Sequence, residues 1–113
     1  SELGPRPRVG TFIASDTVEV GKSIWIFGTT RAPNERVWAE AQFGEEIEVG
    51  ESIGKEGPQD YAEAGDNLFF HLALGIPKNV VPGEYDVDVY IGEDMETRKL
   101  FTTLKINVKP SEE

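Results

Sequence analysis

From Ile76 to Ile91 the chain reads Ile-Pro-Lys-Asn-Val-Val-Pro-Gly-Glu-Tyr-Asp-Val-Asp-Val-Tyr-Ile. Pro82-Gly83 signals a turn, because proline presets φ and glycine accepts positive φ. After it, Tyr85, Val87, Val89 and Ile91 alternate with Glu84, Asp86, Asp88 and Tyr90. That period of two predicts a strand with one apolar and one acidic face.

The same pattern recurs along the chain. Val9 to Ala14 predicts a first short strand, and Thr17 to Lys22 alternates before turning at Gly21. Ser23 to Gly28 carries Ile24 and Ile26 on one face, Trp25 and Phe27 on the other; the inverted register, with the rings inside, stays open. Residues 29–35, with Ala32-Pro33-Asn34, form a loop. Arg36 to Phe43 sets Val37, Ala39, Ala41 and Phe43 against Trp38, Glu40 and Gln42. Asn67 to Leu74 is a strongly apolar strand with Leu68, Phe70, Leu72 and Leu74 inward, leaving Phe69, His71 and Ala73 on its other face. Arg98 to Val108 closes the series with Leu104, Ile106 and Val108 in alternation.

Between 44 and 65 the pattern degrades. Glu45 to Val49 predicts an edge strand whose charges discourage edge-to-edge pairing. Gly50 to Gly65 reads as a long loop with a helical turn at Tyr61-Ala62-Glu63-Ala64, and loops of that length are often functional. The expected fold is all-β: a sandwich of seven or eight mostly antiparallel strands over residues 9–109, with 1–8 a linker and 110–113 a linker or tail. The predicted core is Ile24, Ile26, Val37, Ala39, Phe70, Leu72, Leu74, Tyr85, Val87, Val89, Leu104 and Ile106.

Composition narrows the function. A length of 113 residues suits one domain that buries roughly two thirds of its unfolded-chain surface. With 11 basic against 21 acidic residues, a net charge of −10 argues against nucleic-acid partners, which need clustered lysine and arginine. Anionic membrane surfaces are disfavoured for the same reason. No apolar run approaches the ~20 residues that span a bilayer, so no direct membrane insertion is expected. The absence of cysteine removes a disulfide scaffold.

Three pieces occur in order: Val18-Glu19-Val20-Gly21-Lys22-Ser23-Ile24-Trp25-Ile26-Phe27-Gly28, Val37-Trp38-Ala39-Glu40-Ala41, and Pro82-Gly83-Glu84-Tyr85-Asp86-Val87-Asp88-Val89. Together they resemble immunoglobulin-like or fibronectin-III-like modules of bacterial and archaeal cell-surface proteins, including archaeal surface-layer-associated proteins. The resemblance covers about residues 9–109 and implies an immunoglobulin-like sandwich in an extracytoplasmic setting, at the cell surface or secreted. It brings no catalytic residues and departs from simpler members in the irregular 44–66 segment.

Candidate chemistry is sparse. His71 is the one histidine, and no nucleophile, base and orienting group lie near one another in sequence, so no enzyme is expected. No cofactor is expected either, because one histidine and no cysteine cannot build a transition-metal site. Glu93, Asp94 and Glu96 in one turn, or Asp60, Glu63 and Asp66 in the long loop, are weak oxygen-ligand candidates for calcium that match no dedicated calcium-loop spacing.

Aromatic residues point to binding. Alternation groups Trp38, Glu40, Gln42, Asp86, Asp88 and Tyr90, with Phe101 beside them, on the outer face of one sheet. It groups Trp25, Phe27, Phe69 and His71 on the outer face of the other. Three explanations stay open for these rings: cover by the chain's own 44–66 segment, a protein interface, or stacking on sugars. The expected function is a non-catalytic structural or protein-interaction module of a larger cell-surface or secreted protein. Its partners would be neighbouring modules of the same protein or another surface protein. The alternative is a carbohydrate-binding accessory module using the exposed aromatics of a sheet face.

Overall fold

The computed structural model of the chain describes residues 10–13 and 15–112; the linker expected at 1–8 lies outside them, as do Val9, Ala14 and Glu113. The fold is all-β. Its strands are β1 (Gly10–Ile13), β2 (Thr17–Glu19), β3 (Ser23–Thr29), β4 (Arg36–Phe43), β5 (Glu46–Val49), β6 (Ser52–Gly54), β7 (Gly57–Gln59), β8 (Ala62–Glu63), β9 (Phe69–Gly75), β10 (Gly83–Gly92) and β11 (Lys99–Lys109). That is more than the seven or eight expected from sequence, because the 44–66 segment contributes short strands of its own.

One sheet has the order β1-β3-β9, and the other runs β2-β11-β10-β4-β5 with β8 also paired to β4. All pairings are antiparallel except β2 with β11, where Asn107, Val108 and Lys109 lie in parallel register with Thr17, Val18 and Glu19. The N-terminal β1 and β2 therefore belong to different sheets.

Side chains from both sheets meet in one apolar cluster. Ile24 and Ile26 of β3 and Phe70, Leu72 and Leu74 of β9 come from the first sheet; Val37 and Ala39 of β4, Val87 and Val89 of β10 and Ile106 of β11 come from the second. These are the residues that alternation placed inside. Tyr85 and Leu104 pack on the cluster half-buried. The register of β3 is settled as well: Ile24 and Ile26 are buried, and Trp25 is 53% exposed.

The 44–66 segment corrects two expectations. No helical turn forms at Tyr61 to Ala64; Ala62 and Glu63 are β8, and β6 and β7 make a hairpin of their own. The physical cause is the free edge of β4, whose backbone groups need partners. Arg36 and Val37 pair with Glu63 and Ala62, the Ala39 carbonyl accepts the Gly50 N–H at 2.8 Å, and Glu40 to Phe43 pair with β5. Gly50 is where the chain leaves the second sheet, since Glu51 next pairs with Ala73 of β9. A side chain there would begin 3.3 Å from the Ala39 Cβ and 3.4 Å from the Leu72 Cβ, so glycine fits the passage between the sheets.

A further correction concerns Leu68, expected as a core position of a strand. It sits in the left-handed region at φ 69° and is half-buried. The turn is closed by the Leu68 N–H on the Gly65 carbonyl and by the Phe69 N–H on Asn67 Oδ1, and the Leu68 carbonyl accepts the Thr30 N–H. These bonds offset a backbone conformation that costs leucine on the order of 1–2 kcal/mol.

At the mouth of β10 the Tyr85 hydroxyl donates to the Val81 carbonyl, tying the strand to the loop before it. Tyr85→Phe keeps the ring against Phe43, 5.0 Å away edge-on, and deletes only this bond. A loss of about 1 kcal/mol is expected, or ~5 °C in melting temperature by calorimetry. No change would mean that the hydroxyl bond does not anchor the corner.

Candidate functional site

The two outer sheet faces differ in chemistry. On the larger sheet, register places Asp88 opposite Glu40 and Tyr90 opposite Trp38, so β4 and β10 do bring the first set of candidates together. Two carboxylates facing each other across strands repel, and each is matched by another partner. Glu40 receives Arg98 at 2.8 Å, and Asp88 accepts the Thr103 hydroxyl at 2.8 Å. Asp86 holds Lys105 at 3.0 Å, and that bond raises the pKa of the exposed ammonium.

Trp38 was expected on this outer face, with cover by the 44–66 segment one of the explanations left open; it lies there and is only 4% exposed. Tyr61 packs on it with ring centres 6.0 Å apart, and the Arg98 guanidinium lies 5.6 Å from its centre. Arg98 also sits 4.0 Å over Tyr90, and Arg36 sits 4.7 Å over Tyr61. The face thus carries a continuous stack of Arg36, Tyr61, Trp38, Arg98 and Tyr90. Cation–π contacts are strengthened when the cation is withdrawn from water, as Arg98 is here. One of its nitrogens, Nη1, is buried without a hydrogen-bond partner, a cost that the stacking and the Glu40 pair must offset.

Sequence reasoning missed Tyr61, Arg36 and Arg98 as members of this stack. Arg36 was legible, being two residues from Trp38 on the same strand face. Tyr61 and Arg98 carry no local signal.

The second set of candidates is also brought together, with Phe27 half-buried and the other three rings exposed. On the outer face of the three-stranded sheet, Trp25 and His71 have ring centres 6.1 Å apart, Phe69 and His71 6.2 Å, and Phe27 and Phe69 6.5 Å. Trp25 is 53% and Phe69 42% exposed, and His71 is exposed. The outward positions of β3 are Ser23, Trp25, Phe27 and Thr29; those of β9 are Phe69, His71, Ala73 and Gly75. None of these residues carries a formal charge, in a chain that is 28% Asp, Glu, Lys and Arg. The opposite sheet presents charges on its outer face at Arg36 and Glu40 of β4, at Glu84, Asp86 and Asp88 of β10 and at Lys105 of β11.

Among the acidic candidates, Asp94 turns its carboxylate inward to its own loop. Its Oδ1 accepts the Thr97 hydroxyl and the N–H groups of Thr97 and Glu96, which hold its pKa below the ordinary value. Glu93 and Glu96 are exposed in the same loop. Asp60, Glu63 and Asp66 are exposed as well. Among the described residues no group of three or more His, Cys, Asp or Glu side chains converges to hold a metal ion.

Beside the aromatic face lies a cleft of about 970 Å³ between the β6–β7 hairpin and the start of β9. Its lining includes Ile53, Tyr61, Phe69 and His71, and the charged residues Lys55, Glu56 and Glu63. No protein-family model matches the chain, and no curated protein matches its sequence.

Proposed function

We propose that this chain is a non-catalytic, immunoglobulin-like β-sandwich module that holds a protein partner on the outer face of its β1-β3-β9 sheet. The observation that carries the partner is the exposure of Trp25, Phe69 and His71, grouped beside the half-buried Phe27, on a face free of formal charge in β3 and β9. Interface centres are depleted in charge and enriched in aromatics, whereas a solvated face needs neither property.

The immunoglobulin-like assignment draws support from the strand order. The first strand is divided between the two sheets, and its second part runs parallel to the last strand. The tyrosine at the start of β10, bonded back to the preceding loop, fits the corner found in such domains. The chain departs from antibody domains in lacking the inter-sheet disulfide and in having the tryptophan of β4 on the outer face. The cell-surface or secreted setting rests on the sequence resemblance alone.

The carbohydrate reading called on Trp38 and Tyr90 as stacking platforms. With Trp38 covered and Arg98 lying over Tyr90, that face offers no fully open ring, which weighs against sugar there.

A photo-reactive amino acid at position 25 in the natural protein tests the proposal, with position 103 on the opposite sheet as control. Cross-links to one partner segment, identified by mass spectrometry, are expected from position 25 and not from 103. Equal capture at both, or none at 25, would overturn the reading.

A further inference from the structure

The cleft next to the aromatic face has a backbone feature that side-chain patterning does not reveal. The Ala73 carbonyl accepts the Glu51 N–H at 2.8 Å and the Ala73 N–H reaches the Glu51 carbonyl at 2.9 Å, so both groups of Ala73 point away from β3. In an antiparallel ladder that direction repeats every second residue. Phe69 follows the rule, its carbonyl accepting the Gly65 N–H at 3.1 Å. His71, between them, therefore aims its N–H and C=O into the cleft, and neither has a hydrogen-bond partner among the described residues. Past Glu51 the β6–β7 hairpin splays from β9 instead of continuing the ladder, and Ile53 is left 78% exposed.

Unpaired donor and acceptor groups on a strand edge, with room beside them, are what an added strand requires. The side-chain surroundings say what kind of strand. Positions of an added segment that share the His71 face would lie against Phe69 and His71, which favours apolar residues. Other positions would lie in the cleft, whose lining carries Glu56 and Glu63 against the single Lys55. With Glu51 and Asp60 close by in the chain and a net charge of −10, cationic side chains are complementary there. Sugar fits the cleft less well. Tyr61 already has Arg36 on its ring and Trp38 beside it, and Phe69 and His71 are tilted 47° to one another, so no flat platform exists.

We infer that the cleft beside β9 binds an extended segment of a partner protein, alternating apolar and cationic residues, added as a strand that pairs with the backbone of His71. The inference rests on the protein-partner reading and identifies how the partner's chain is gripped.

The test is an amide NMR titration of the intact chain with a short synthetic peptide alternating lysine and valine. Shifts concentrated at Ser52 to Gly54 and Phe69 to Ala73 are expected, with slower hydrogen exchange at the His71 amide. The same peptide N-methylated along one edge should bind at least tenfold more weakly, because it keeps charge and shape but lacks the N–H groups. A glutamate–valine peptide should not bind. Equal binding of the N-methylated peptide, shifts spread over the acidic surface, or no shift at the solubility limit of the peptide would overturn the inference. So would localised shifts at Phe69 and His71 with neutral oligosaccharides and none with peptide. A cross-link at position 25 without peptide binding would leave the aromatic-face reading standing and remove this one alone.

Discussion

Trp38→Ala is expected to cost about 3–5 kcal/mol in chemical denaturation, the range for emptying a buried aromatic site. Trp38 is 4% exposed although it lies on the side of β4 facing away from the main core. Its removal takes the packing surface from Tyr61 and one of the two rings from the Arg98 guanidinium. Arg98 would then keep Tyr90 and Glu40, but with water admitted, where stacking and ion pairs contribute less. Since domains of this kind have a margin of ~5–15 kcal/mol, the variant should sit near the folding threshold. Trp38→Phe should recover a large part of the loss. A variant that stays as stable as the parent chain would mean that Trp38 is an open ring after all, and would return sugar stacking to the front.

Leu72→Ala should lose about 2–5 kcal/mol, while His71→Ala on the adjacent position should change stability by less than about 0.5 kcal/mol. Leu72 is fully buried in the cluster that joins the two sheets, and it lies beneath Gly50 where the chain passes between them. The cavity left by alanine has little freedom to collapse, because Ile26 is in register beside it and Ala39 comes from the opposite sheet. His71 makes its ring contacts on the exposed face, so truncating it removes little buried surface. Thermal or urea unfolding of the pair reads the orientation of β9 directly. If the two costs were alike, the face assignment, and with it the aromatic patch, would be wrong.

The first set of candidates was legible as a group, while alternation left open whether the chain's own 44–66 segment covers it. Alternation put Trp38, Glu40, Gln42, Asp86, Asp88 and Tyr90 on one sheet face, and the register of β4 with β10 brings them there. Alternation has no term for what lies above a face. Arg98 comes from the start of the last strand region and Tyr61 from a segment whose pattern had broken down. In the second set Trp25, Phe69 and His71 are exposed on the outer face of β3 and β9, and Phe27 is half-buried among them. The β6–β7 hairpin was illegible for a related reason: Gly54-Lys55-Glu56-Gly57 is a turn signal, but its flanking strands are too short to show a period.

Sequence by itself determined the long strands β3, β4, β9, β10 and β11 and their inward faces. A strand's period of two is a local property, set by the pleat, and it names Ile24, Ile26, Val37, Ala39, Phe70, Leu72, Leu74, Val87, Val89 and Ile106 without any knowledge of neighbours. Only the tertiary structure decided which outer face is filled and which is open. That outcome depends on where the free edge of β4 captures residues 50–63, which lays Tyr61 on Trp38 and leaves the edge of β9 at His71 without a partner among the described residues. Hydrogen-bond demand at an edge is a property of the assembled sheet, so no stretch of the chain expresses it alone.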